Sequence, residues 1–416
     1  MTSLEEPLPL PEEPTGPPLR KIGLRRWVRE NLFSSPFNGA LTVVFGLFLV
    51  WVFYRLGRFV LADARWEIIE RNITNLMVFH FDRDELWRPW AALFILAAAV
   101  GLTIQVVGAR RLEQGTEAPV TSATSIVRRT APLLILVAVL LIAARSLEAT
   151  ILTLGVGATA LAFRYLGKSI PGRLVRLVIA AGILATAAAY IVLTGFGGVA
   201  WDDWGGLLLT VFLAVSGILL SFPLGVLLAL GRRSNLPVVR WVCIVYIELI
   251  RGVPLITILF MSAFALGFFL PPGTERPSLV TRAIVALVVF TAAYVAEIVR
   301  GGLQGVPRGQ IEAAQALGLS PVKTTRLIVL PQALRAVIPA LVGQFISLFK
   351  DTSLVFIVGL TELLAVTQAI TKQPDFLAQG LIVETLVFAA FVYWAGAYWM
   401  SRESQRLEQR LGVGVR

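Results

Sequence analysis

Ten apolar runs divide this chain and constrain its fold more than any other feature. They lie near 38–56, 90–108, 130–145, 149–165 and 175–195, then near 206–230, 239–270, 279–301, 332–371 and 380–401. A helix needs about 20 apolar residues to cross a hydrocarbon core of about 30 Å. In that core the backbone N–H and C=O groups meet no water, so each run must satisfy its own as helix. The chain is 56% hydrophobic and only 15% charged over 416 residues, with a mean hydropathy of +0.77. Soluble domains rarely reach that apolar level. The expected class is an all-α polytopic membrane protein. Two runs exceed one straight span. Gly252 and Pro254 interrupt 239–270, and Pro339 and Asp351 interrupt 332–371. Both are expected to bend or break where neighbouring helices cover the freed backbone.

Charge orients the runs. The formal net charge is +11, but the basic residues sit at run ends and form no aromatic-interleaved stripe, so nucleic acid is not an expected partner. A basic collar, Arg20, Lys21, Arg25, Arg26 and Arg29, precedes the first run and is expected to stay cytoplasmic. Further inside clusters are Arg110, Arg111, Arg128 and Arg129, then Arg164, Lys168, Arg173 and Arg176, then Arg232, Arg233 and Arg240. Arg402, Arg406 and Arg410 follow the last run. The opposite-side loops are poor in Lys and Arg, except for 57–89, where acidic residues and Trp66, Trp87 and Trp90 suit a small periplasmic cap at the interface. For 307–331 to share the side of the N-terminus, an odd number of spans must precede residue 200. Five fits if the short runs flanking Arg145 and Glu148 form a hairpin; three is the alternative.

The expected organisation is a basic cytoplasmic N-terminus (1–37), disordered over Met1–Pro18, whose Pro- and Glu-rich composition has no apolar core. An accessory transmembrane region follows (38–200, with its loop 57–89), then a transmembrane core (201–402, its cytoplasmic loop at 307–331), then a cytoplasmic tail (403–416). No signal peptide is expected, because no apolar segment and cleavage site follow the start.

Little in the chain suggests catalysis. Cys243 is the single cysteine and lies in an apolar run, and His80 is the single histidine, in a polar loop. Neither can anchor a metal cluster or a nucleophile–base set with partners of its own kind. Gly167-Lys168-Ser169 looks like the end of a phosphate loop, but Ala162 stands where that loop needs its first glycine and no strand precedes it. The chain is therefore expected to lack an ATPase site and to carry no cofactor.

One polar island stands between two apolar runs. Glu312-Ala313-Ala314-Gln315-Ala316-Leu317 suits a short helix of good helix formers. Gly318 follows as a left-handed stop. Ser320 and Pro321 then read as an N-cap and a first helical position, and Ile328-Val329-Leu330-Pro331 closes the island. From the helix signals alone this is equally a solvated helix–turn–helix. The full spacing is more particular: Glu-Ala-Ala, three residues, Gly, nine residues, then Ile-x-Leu-Pro. It resembles the EAA loop of the membrane subunits of bacterial ABC importers.

The resemblance continues from about 206 to 401, where the chain is similar to permeases of the histidine/glutamate/glutamine/arginine class. Glu248-Leu249-Ile250-Arg251-Gly252-Val253-Pro254 resembles that class's Glu-x-x-Arg-Gly-Thr-Pro, with Val253 in place of Thr. Ala293-Tyr294-Val295-Ala296-Glu297-Ile298-Val299-Arg300-Gly301-Gly302 and Phe349-Lys350-Asp351-Thr352-Ser353-Leu354 match two more of its motifs. The first two hundred residues resemble the extended N-terminal half of some general L-amino-acid permeases.

The resemblance implies a type I ABC importer fold with a core of about five helices, preceded here by about five more. It implies a multi-pass inner-membrane location with both termini cytoplasmic. It implies two ATPase subunits carrying ATP and Mg, a second permease (a heterodimer is expected), and a periplasmic amino-acid-binding protein. Glu312, Ala313, Ala314, Gly318, Pro321 and Pro331 would couple to the ATPase. Glu297, Tyr294 and Glu248 would line the substrate path. Arg251, Gly252, Pro254, Arg300, Lys350 and Asp351 would bend helices or pair charges, since unpaired ions in a span are costly. Glu297 and Arg300 also have the spacing of a local helical pair. The rival readings are a stand-alone secondary transporter or channel, and a non-transporting membrane scaffold or sensor.

Overall fold

The structure, a computed structural model, describes residues 23–113, 123–195 and 198–411. The expectation of disorder over Met1–Pro18 lies outside them. The chain divides into two compact units, Met1–Arg65 and Trp66–Arg416. In the described part of the first, α1 (Leu24–Asn31) and α2 (Pro36–Arg58) are joined at Ser35, whose hydroxyl accepts from the Asn38 N–H while Pro36 takes the first helical position. Thr42 Oγ1 donates to the Leu32 carbonyl at 2.7 Å and fixes the corner. A π turn, Phe59–Asp63, extends α2.

The regular structure of the second unit is built of helices, joined by loops, among its described residues. Its helices are α3 (Glu67–Val78), α4 (Trp87–Glu113), α5 (Ala123–Ala144), α6 (Leu147–Leu166), α7 (Val175–Thr194), α8 (Gly206–Gly231) and α9 (Pro237–Gly252). There follow α10 (Leu255–Phe260), α11 (Leu279–Gln304), α12 (Arg308–Ala316), α13 (Pro321–Thr324), α14 (Leu330–Asp351), α15 (Leu363–Ile370) and α16 (Ile382–Leu411). Eight helical segments of the described chain are long and apolar enough to cross a membrane, and the bent pair α9–α10 makes nine. The remaining expected run corresponds to α5, whose described apolar stretch, Leu133–Ala144, is shorter.

The bend between α9 and α10 is 108°. Pro254 has no N–H to continue a helix, and its ring drives the preceding residue out of the helical region. Val253 accordingly sits at φ −109, ψ 136. The run 332–371 breaks at Asp351, the second of its two expected interruptions, where α14 ends. Pro339 lies inside α14 without ending it. The helix tightens to a 3-10 turn at Thr352–Val358 and stops at Gly359, φ 100.

Segment 66–89 is more than a surface loop. Its helix α3 buries Ile68, Ile69, Asn72, Ile73 and Leu76, in one cluster with Leu363, Val366 and Ile370 of α15 and Phe388 and Val392 of α16. Asn72 Oδ1 accepts from Gln373 Nε2 at 2.8 Å. Arg88, almost fully buried, ion-pairs with Glu85 and donates to the Val192 and Gly195 carbonyls at 3.0 and 2.8 Å. It thereby satisfies acceptors that the end of α7 leaves open. Where α3 meets α8, Gly206 holds φ +58, and a Cβ there would meet the Leu76 carbonyl oxygen at 2.5 Å, so both backbone angle and space require glycine.

The core centres on α11, which packs on α8 and α14 through small fully buried residues, Ala292, Ala293, Val295, Ala296 and Val299. Apolar side chains gain little by leaving lipid for protein, so such helices associate by close approach of small residues and by polar contacts.

Glu362 is one such polar contact. It lies between the spans, fully buried, and caps α15 by accepting from the Leu364 and Ala365 N–H groups at 2.7 and 2.8 Å and from Tyr393 Oη at 2.9 Å. Burial pushes its carboxyl up to about 7, and these three donors only partly oppose that. The folded protein then holds a proton that the unfolded chain has lost between about pH 4.5 and pH 7, so this group's contribution to stability falls as pH rises through that window. Glu362→Gln is expected to flatten that slope in detergent unfolding measured against pH. It should also cost about 1 kcal/mol, because an amide cannot accept both cap bonds equally. An unchanged pH slope in the variant would remove Glu362 as the titrating group.

Candidate functional site

The polar island folds as an elbow between two spans. α12 starts at Arg308, four residues before the expected start at Glu312, and ends at Ala316. Its C-terminus closes with paired bonds, the Leu319 N–H to the Ala314 carbonyl at 3.1 Å and the Gly318 N–H to the Gln315 carbonyl at 2.9 Å. That Schellman turn needs a left-handed residue, and Gly318 is at φ +77. A Cβ at Gly318 would meet nothing within 4 Å, so the demand is on the backbone and not on space inside this chain. Ser320 Oγ accepts from the Lys323 N–H at 3.4 Å, and Pro321 opens α13. A π turn over Thr325–Val329 then leads into α14, whose first turn holds Pro331. The wider turn makes room for the proline ring, which would otherwise press on the Leu327 carbonyl.

Ala314 is buried, and Ile311 packs with Val306, Val329 and Ala333, so one face of α12 is anchored to the bundle. Glu312, Ala313, Gln315 and Ala316 are exposed on the other. Leu317 and Val322 beside them are 81% and 75% exposed. Large apolar side chains at the tip of a polar loop suit a protein partner.

Behind the elbow lies a cluster of charges. Glu297 on α11 accepts from Arg300 through both carboxylate oxygens, one at 2.9 Å. Arg232, at the end of α8, lies 3.5 Å from Glu297 and 2.9 Å from Glu248 on α9. Arg251 lies 3.7 Å from Glu297, with its guanidinium over the Tyr294 ring at 5.8 Å. The cluster thus joins Glu248, Arg251, Tyr294, Glu297 and Arg300, and places them beside the Gly252–Pro254 break. Both carboxylates are engaged by arginines, so neither is free to meet an ammonium group unless a pair opens.

Arg232 is the member that sequence reasoning counted only as a loop charge. Its signal was its position at a span end, with two acids in neighbouring spans. Lys350 and Asp351 stand apart from this cluster and form no ion pair among the described residues. Consecutive helical residues point about 100° apart. Lys350 faces outward, and Asp351 ends α14.

The weaker sequence signals stay isolated. Gly167–Ser169 is a 3-10 turn after α6, with Lys168 Nζ over the Tyr165 ring. His80 stacks on Phe79 at 3.9 Å. Cys243 is buried. Among the described residues, no three His, Cys, Asp or Glu side chains are grouped to hold a metal ion.

An all-helical multi-span chain with an exposed elbow between two spans fits a class, the membrane component of a multi-subunit transporter. The comparisons make it specific. Residues 221–412 match the family described as the binding-protein-dependent transport system inner membrane component. The chain is 35% identical over 429 residues to the glutamate/glutamine/aspartate/asparagine transport system permease protein BztC of Rhodobacter capsulatus, covering 96% of each. It is 52% identical over 212 residues to the inner membrane amino-acid ABC transporter permease protein YhdY of Escherichia coli (strain K12). That match covers 51% of this chain and spans 57% of the length of YhdY. This protein belongs to the family of amino-acid ABC transporter permeases. A solved amino-acid ABC transporter chain aligns with 49% of this one and 92% of itself, at 30% identity and a TM-score of 0.43.

Proposed function

We propose that the chain is a permease subunit of an importer that carries L-amino acids across the bacterial inner membrane by alternating access. Two separate ATPase subunits, which bind the ATP and Mg, grip α12 and its copy on the other permease of the pore. The observation that carries this reading is the elbow: a helix anchored on one face, exposed on the other, and ended by a glycine turn that sets its angle. Ligand binding shifts a conformational equilibrium only through different affinity for its states. The ATPases must therefore hold α12 differently in the inward and outward forms. Glu312 serves as the polar anchor on α12. The core, 201–402, performs transport, and 38–200 is accessory to it. A periplasmic binding protein delivers substrate, and the long N-terminal half suits a pore made with a different, shorter sister permease.

Relatives named as permeases for glutamate, glutamine, aspartate and asparagine support substrates of that kind. The path runs past Glu248, Tyr294 and Glu297, whose arginine partners would exchange for the substrate carboxylate. Affinity purification of the tagged full chain from native membranes in mild detergent tests the assembly. A stoichiometric ATPase and a second permease are expected in the mass spectrum. A folded chain that reproducibly purifies alone would favour the stand-alone transporter.

A further inference from the structure

Next to the charge cluster, a cavity of about 880 Å³ opens between the α8–α9 connection and the end of α11. Its lining includes Arg232, Arg233, Arg240, Trp241, Ile244 and Arg300 and contains no acidic residue. Two of the four arginines are neutralised from behind, Arg232 by Glu248 and Arg300 by Glu297. Arg233 gives one N–H to the Leu303 carbonyl at 3.2 Å and meets no carboxylate among the described residues. Arg240 has no acidic partner among the described residues and is exposed. The cavity therefore presents two uncompensated guanidinium groups.

The neighbouring face of α9 is apolar. Val238, Trp241, Val242, Val245 and Leu249 recur at helical spacing and are each more than half exposed. Trp241 belongs to both surfaces, lining the cavity and sitting in the first turns of the stripe. Tryptophan favours the level of the headgroups, where its ring is half in hydrocarbon. A basic hollow at the head of an apolar stripe matches a molecule with a phosphate at one end and a chain at the other.

We propose that this cavity is a binding site for an anionic phospholipid, with its phosphate held between Arg233 and Arg240 and its acyl chain along Trp241, Val245 and Leu249. The site lies at the α12 end of the bundle, where α11 leads through Gln304 into the elbow. On the reading given under Proposed function, that is the cytoplasmic leaflet, where anionic lipids attract arginines. Bound lipid would brace the α8–α9 connection against α11, beside the cluster of Arg232, Glu248 and Glu297.

The test is native mass spectrometry of the purified complex, with whatever subunits accompany it, in nanodiscs of phosphatidylcholine with added phosphatidylglycerol. The intact protein is expected to retain phosphatidylglycerol in preference to phosphatidylcholine. Arg233→Gln with Arg240→Gln should weaken that preference roughly tenfold, and Arg233→Lys with Arg240→Lys should restore most of it. Excess inorganic phosphate should not displace the lipid. Retention in the glutamine variant equal to that of the native chain would overturn the site. So would full displacement by phosphate, which would make it a soluble-anion site, or exclusion of lipid when the ATPase is present, which would make the cavity a protein interface. Because lipid retention is read separately from subunit content, failure of the site is distinguishable from failure of the importer assembly.

Discussion

Gly318→Asp is expected to lower amino-acid uptake at least tenfold while leaving the amount of chain in the membrane within about twofold of native. The left-handed backbone at φ +77 costs an L side chain on the order of 1 kcal/mol, a strain that one loop can relieve by opening its Schellman turn. Relief would re-aim α12, and a coupling contact depends on that aim. The bundle behind it, anchored through Ala314 and Ile311, has no reason to unfold. Gly318→Asn isolates the charge, because asparagine and aspartate share the same tolerance of the left-handed region. If it restores uptake, the aspartate charge at the partner contact causes the loss. If it does not, the added side chain does, by straining the turn or by meeting a partner that packs against the glycine, as the open space around the Cβ position permits. Uptake by Gly318→Asp at the native level would sink the coupling role of the elbow.

Glu297→Gln is expected to be the most damaging single change in the charge cluster. One carboxylate accepts from Arg300 and lies near Arg232 and Arg251, with all four side chains between 22% and 34% exposed. Removing its charge leaves three cations facing one another. A fully buried case would cost about 3–5 kcal/mol, and partial exposure reduces this to about 2 kcal/mol. Glu248 still holds Arg232, so Arg300 and Arg251 carry most of the loss. Unfolding in detergent, followed for Glu297→Gln, Arg300→Gln and the double variant, measures the coupling directly. Purely additive effects would show that the pair contributes nothing beyond its separate members. An uptake loss much larger than the stability loss would place Glu297 on the substrate path as well.

Much of the elbow was legible because its signals are local. Gly318, Ser320 and Pro321 each act on the backbone within a few residues of themselves, and the turn, cap and helix start stand where their chemistry places them. The Gly252–Pro254 break was legible for the same reason. The start of α12 was not, because Arg308–Ile311 carries weaker propensity than the Ala-rich turn after it. Pro339 does not end α14, since a proline inside a span is tolerated when its surroundings are packed.

By itself, the sequence determined that this chain is a many-span helical membrane protein with a polar elbow between two of its spans. Hydrocarbon leaves the backbone no other way to satisfy itself, and the elbow is written in adjacent residues. Only the tertiary structure decided that Arg232 joins Glu248 and Glu297, that α3 is built into the core, and that Glu362 ties α15 to α16. It also decided that, among the described residues, two arginines of one cavity lack acids while the others have them. These pairings link residues tens to hundreds of positions apart. Which charge meets which depends on how helices cross, and no local preference encodes that.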